Sequence, residues 1–354
     1  MRITMRNATL ALLLFGFSCS PPTAKVEEPL KIKVVVVTMF ELGEDSGDRP
    51  GEFQNWVERL PLSETIDFPA GYRPLRLNRD KSVLGVVTGI GTAKASATIT
   101  ALGLDPRFDL TEAYWLVAGI AGVDPNDASV GSAAWAEWLV DGDISHEIDA
   151  REVPEDWPTG YIPLRLATPY EKPVPTNNEG AVYHLNSDLT QWAYDLTKDV
   201  DLGDNETIRD FRALYEGFPA AQEPPSVLLG DQLAAMTYWH GEKMNQWAND
   251  WTSYWTEGDG NFVTSAMEDT GTMQSLTFLS NAGKVDLDRV MVLRTASNYT
   301  MQYPGITAAE SLSGEKLSSK GYTAFIPSLE AAYLVGSTVV NELVDRWDEY
   351  SQKY

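Results

Sequence analysis

Glu41 and Glu44 follow the apolar run Ile32–Met39. A carboxylate just past the carboxyl end of a buried strand stands where open α/β sheets hold ligands, and there it could serve as a general base. Asp45 and Asp48 share the segment, so a solvated acidic loop explains it as well. Thr88-Gly89-Ile90-Gly91-Thr92 closes a second apolar run and opens a helical pattern, and its glycines would let backbone amides approach a ligand. Lys94 stands where a dinucleotide fingerprint needs its third glycine, so a tight strand-to-helix turn is the plainer reading. Gly119-Ile120-Ala121-Gly122 suits either close backbone approach or a bulge. Met267-Glu268-Asp269 starts a helical stretch, where acidic residues also serve the helix dipole. Arg294 to Asn298, including Ser297, ends the strongest late strand. His146, His184 and His240 are scattered without ligand spacing, so no metal and no cofactor is expected.

Several apolar runs must position these groups: Ile32–Met39, Val83–Thr88, Ala113–Ala118, Ala133–Val140, Val227–Leu229 and Arg289–Leu293. Most are continuous rather than alternating, as in a sheet covered on both faces. Helical spacing predicts helices over Thr92–Leu104, Asp188–Asp199, Met267–Asn281 and Leu329–Tyr350. In the last of these Val335, Val339, Val340, Leu343 and Trp347 form one stripe. Trp239, Trp247, Trp251 and Trp255 mark a further helix face directed at the core. The proline-rich stretch 150–180, with Trp157, Tyr161 and Tyr170, is an ordered aromatic loop, since a disordered segment would lack such apolar weight. The alternation predicts an α/β fold, a single domain around a mainly parallel sheet flanked by helices.

The chain has 354 residues, 43% of them hydrophobic and 22% charged, which is a globular composition. Asp and Glu outnumber Lys and Arg by 51 to 27, for a net charge of -24. That charge excludes nucleic-acid binding, which needs a basic footprint, and disfavours anionic lipid surfaces. No stretch approaches the roughly 18–20 apolar residues of a membrane-spanning helix, so a multi-span transporter is excluded. Arg2 and Arg6 precede the apolar run Ala8–Phe17, the pattern of an export signal. Cys19, the only cysteine, stands where a lipoprotein signal places its lipidated residue, and disulfides are impossible. The expected organisation is a signal over 1–18, a tether over 19–30 and a domain over 31–354. The expected location is exported: periplasmic, or membrane-anchored through Cys19.

Val117-Ala118-Gly119-Ile120-Ala121-Gly122, the phrase from Glu147 to Pro154, Asp156-Trp157 and Thr159-Gly160-Tyr161 resemble the purine nucleoside permease family. Pro224 to Val227, Gly230-Asp231, Glu268-Asp269 and Leu293 to Ser297 extend the resemblance over about residues 31–350. It implies the fold of the wider nucleoside phosphorylase and nucleosidase superfamily, whose members commonly form homo-oligomers. It also implies purine nucleosides as ligands, with any role in transport being indirect.

Position by position, the resemblance implies that Met267 and Glu268 bind the ribose and that Arg294 steadies them. Asn298 stands where related nucleosidases carry an Asp at the purine N7. Asn can donate a hydrogen bond there but cannot deliver a proton, which favours a 6-oxopurine. Gly89, Gly119 and Ser297 join this substrate site. Met39-Phe40-Glu41 fits the slot of the water-activating carboxylate, making Glu41 and Asn298 the expected catalytic pair. Phosphorylases hold phosphate with arginines, and neither Val117 nor any residue in Thr38–Asp48 is one. Hydrolysis is therefore the expected reaction, with nucleoside capture without turnover, or phosphorolysis, as alternatives.

Overall fold

The computed structural model describes residues 28–317 and 323–354. The expected signal over 1–18 and Cys19 lie outside them. Strand β1 (Val34–Thr38) is buried at every position. Val34 and Val36 join one core with Val335, Val339 and Leu343, while Val35 and Val37 join another with Ile99, Leu102 and Leu276. Both faces are covered, which is why the strand reads as unbroken valine.

The principal elements continue through α1 (Gln54–Arg59), β2 (Glu64–Ile66), β3 (Leu75–Leu77), β4 (Val83–Val87), α2 (Thr92–Gly103) and β5 (Tyr114–Val123). Next come β6 (Ala133–Ala136), β7 (Trp138–Asp141), β8 (Val182–His184), α3 (Ser187–Thr197), β9 (Val227–Leu229), β10 (Asp231–Ala234) and α4 (Glu242–Trp255). The chain ends with β11 (Phe262–Ala266), α5 (Asp269–Asn281), β12 (Val290–Tyr299), α6 (Ala308–Leu317) and α7 (Phe325–Asp345). The strands form one twelve-stranded sheet in the order β8-β7-β10-β11-β5-β1-β4-β3-β2, with β12 beside β5 and then β6 and β9. β1, β4, β5 and β12 are mutually parallel. β11 meets the end of β5 antiparallel, so the sheet is mixed. Helix α7 covers one face, while α2 and α5 cover the other.

Ala133–Val140, expected as one strand, breaks at Glu137. The Asp231 carboxylate takes the amides of Glu137 (3.1 Å) and Trp138 (2.7 Å) at the break, and the two halves pair with different neighbours. The late strand runs on to Tyr299 because its partner β5 continues to Val123. The last helix begins earlier than its stripe, at Phe325, and is interrupted at Arg346. Trp239 precedes α4, whose buried face carries Trp247, Trp251 and Trp255. Tyr161 and Tyr170 of the proline-rich stretch pack on that face, at 4.6 Å from Trp247 and 6.3 Å from Trp251. Among the described residues, no helix is long and apolar enough to cross a membrane.

Candidate active site

The carboxyl ends of β1 and β5, the end of β12 and the start of α5 surround a cavity of about 440 Å³. Met267, Glu268, Ser297 and Asn298, which the family resemblance assigns to the substrate site, line it together. Consecutive strand residues normally face opposite sides. Ser297 and Asn298 share the wall because the register of β12 against β5 slips by one residue between Ala296 and Asn298, a bulge that re-aims both side chains. The Ser297 hydroxyl donates to the Asn298 Oδ1 (2.8 Å), and the Asn298 Nδ2 donates to the Tyr238 hydroxyl (3.0 Å) and the Tyr299 carbonyl (3.1 Å). Tyr238 also lines the cavity. It sits between β10 and α4, in a stretch with no sequence signal.

Arg294 lies behind this wall and is 1% exposed. Its guanidinium donates to Asp269 through Nε (3.1 Å) and Nη2 (2.6 Å), to Glu268 (3.3 Å) and to the Ile120 carbonyl (3.1 Å). The Gly91 amide donates to the other Glu268 oxygen (2.9 Å). Gly91, at φ 97°, opens α2 and thereby fixes the carboxylate at the start of α5. Gly89, at φ 83°, shapes the same turn, but its neighbour Ile90 is the one on the cavity wall. Burial raises the Glu268 carboxyl above the usual range, with Arg294 opposing and Asp269 adding to the rise.

Gly119 pairs with Arg294 across the sheet. A Cβ there would lie 2.6 Å from both the Arg294 Nη1 and the Glu52 Oε1. Only a residue without a side chain lets the guanidinium pass between the carboxylates. Gly119→Ala is therefore expected to destabilise the protein by roughly 1–3 kcal/mol and to abolish ligand binding. Urea unfolding and calorimetric titration measure the two effects, and unchanged affinity would contradict this packing.

The structure places Glu41 away from the cavity lining. Its carboxylate accepts from the amides of Leu42 (2.7 Å), Gly51, Phe53 (2.9 Å) and Gln54 (2.6 Å). It thus folds the acidic loop onto itself and caps the free amides at the start of α1. Glu52 takes the cavity position instead. Its Oε2 accepts from the Met39 amide and its Oε1 from the Ile120 amide, each at 2.7 Å, tying the ends of β1 and β5 together. Burial pushes the Glu52 carboxyl up to about 7, against the pull of Arg294. In sequence Glu52 is one of several acids between Glu41 and Glu58, and nothing in the spacing singles it out.

Arg49 also lines the cavity, one residue past the arginine-free stretch Thr38–Asp48. Among the described residues, no group of His, Cys, Asp and Glu is arranged to hold a metal ion. His240, beside the Tyr238 segment, is pushed down to about 4 by burial, and its Nε2 lies 3.0 Å from the Ser311 hydroxyl.

A mixed α/β sheet whose strand ends carry two buried carboxylates, a buried arginine and a bulged Ser-Asn pair defines a nucleosidase-like fold. Solved structures agree on that fold. Futalosine hydrolase of Helicobacter pylori aligns with 88% of this chain and 98% of its own, at a TM-score of 0.51 and 14% identity. The 5'-methylthioadenosine/S-adenosylhomocysteine nucleosidase of Helicobacter pylori aligns with 89% and 100%, at a TM-score of 0.50 and 14% identity. Residues 31–354 match the purine nucleoside permease family, and the chain belongs to it. A purine nucleoside permease of Candida albicans is 30% identical over 333 residues, covering 91% of this chain and 78% of the relative. A probable purine nucleoside permease of Schizosaccharomyces pombe is 29% identical over 337 residues, covering 91% of each.

Proposed function

We propose that this chain binds purine nucleosides and cleaves their N-glycosidic bond by hydrolysis, with Glu52 as the base. The observation that carries the proposal is a buried carboxyl poised near neutrality, facing the same cavity as Glu268 and Asn298. Glu268, held by Gly91 and Arg294, accepts from the ribose hydroxyls through charge-assisted hydrogen bonds. Glu52 takes a proton from water as the water oxygen bonds to C1′ and the C1′–N9 bond breaks, through an oxocarbenium-like transition state. The electron pair goes to the purine, which the Asn298 amide steadies once the Tyr238 hydroxyl yields its place. Solvent then protonates the departing base. The family membership and the nucleosidase-like fold support this reading.

Nucleoside capture without cleavage is the second reading, favoured by Asn298, which has no proton to give. Export, with lipid attachment at Cys19, would place either activity outside the inner membrane, and labelled palmitate incorporation lost in Cys19→Ser would test the attachment. Inosine, guanosine and adenosine incubated with the purified protein, with and without phosphate, decide the chemistry. Free base and ribose without phosphate are expected. Ribose 1-phosphate formed only with phosphate, or binding without turnover, would overturn hydrolysis.

A further inference from the structure

Arg49 is out of keeping with most other arginines of this protein. Among the described residues, every arginine is in an ion pair except Arg49 and Arg79, as expected where acids outnumber bases by nearly two to one. Of these two, only Arg49 lines the cavity. Most acids of its own loop are engaged elsewhere. Asp45 takes Arg73 (2.7 Å) and Arg76 (2.8 Å), Asp48 takes the Glu44 amide (3.1 Å), and Glu41 takes its backbone amides. The Arg49 guanidinium lies 5.5 Å from the Phe325 ring centre, and Phe325 stacks on Phe40 at 6.2 Å. An arginine on an aromatic ring keeps its N–H edge available for a planar or tetrahedral anion.

The inner cavity holds Glu52 and Glu268, which suit neutral hydroxyls and water, and an unmodified nucleoside would leave the cation at Arg49 without an anionic partner. We propose that Arg49 recognises a phosphate-class anion, carried as a monoester on the sugar of the bound nucleoside or supplied as inorganic phosphate. The inference rests on the nucleoside reading for the inner cavity and adds the chemistry of the outer end. Two or more charge-assisted hydrogen bonds from one guanidinium are strong enough to favour the charged ligand by roughly tenfold to a hundredfold.

Calorimetric titration of the full chain with inosine, inosine 5′-monophosphate and inorganic phosphate, in the native protein, Arg49→Ala and Arg49→Lys, tests it. The expected result is a monophosphate at least roughly tenfold tighter than inosine, with the preference lost in Arg49→Ala and partly kept in Arg49→Lys. Saturable binding of inorganic phosphate that needs Arg49, without any monophosphate advantage, would support the site and assign the anion to free phosphate. Equal affinities for inosine and its monophosphate together with no Arg49-dependent phosphate binding would overturn it. So would a preference that survives Arg49→Ala. Failure of the nucleoside reading shows separately, as absence of inosine binding in every variant. Thermal melts confirm that each variant is folded.

Discussion

Glu52→Gln is expected to lower kcat for nucleoside cleavage by roughly a hundred- to ten-thousandfold. In the native protein kcat/KM should rise about tenfold per pH unit below neutrality and level off above about 7, because the base works only when ionised. Glu52→Gln should remove that acid limb. Glu41→Gln separates the two carboxylates. An amide has one acceptor oxygen where the carboxylate serves four backbone amides. A destabilisation of roughly 1–3 kcal/mol follows, while the remaining activity keeps its pH dependence centred near 7. The pH profile, rather than the loss of rate alone, is the readout. Should Glu52→Gln keep the native rate and profile, the base lies elsewhere.

Arg294→Met should have the largest effect on stability. Arg294 is the only cation hydrogen-bonded, among the described residues, to Glu268 and Asp269, and it also stabilises the charge on Glu52. Removing one partner of a buried ionic cluster costs roughly 3–5 kcal/mol. The loss should depend on pH, and the sign follows from the carboxyls. Glu52 and Glu268 already titrate above their unfolded values, and without Arg294 they rise further. A raised carboxyl contributes stability below its unfolded pKa and loses it as pH rises through the folded value. The variant should therefore be weakened more at pH 8 than at pH 5, where the carboxyls take up protons. Urea unfolding at the two pH values measures the difference, and a pH-independent loss would show that Arg294 acts mainly through packing.

Two kinds of residue are legible in the amino-acid order alone. The valine run of β1 and the stripe of α7 report burial directly, since apolar residues facing two cores or one leave an unmistakable pattern. Met267, Glu268, Ser297 and Asn298 are picked out by the family resemblance, because at a strand end or helix start such residues serve ordinary structural roles as readily as a site. The register is not legible in this way. Nothing in Ala133–Val140 announces the break at Glu137, because the carboxylate that makes it belongs to Asp231, far along the chain.

The choice between Glu41 and Glu52 is hidden for the same reason. Both sit in one acidic loop, and their roles depend on which amides each carboxylate reaches. Glu41 finds those of its own loop, whereas Glu52 finds Met39 and Ile120, on two different strands. Local pattern and residue type suffice for the α/β class and the buried strands. Which carboxylate is buried beside Arg294, and that Arg49 reaches the cavity, follow from the folded arrangement alone. Burial and charge proximity are properties of surfaces brought together, and no span of neighbouring residues encodes them.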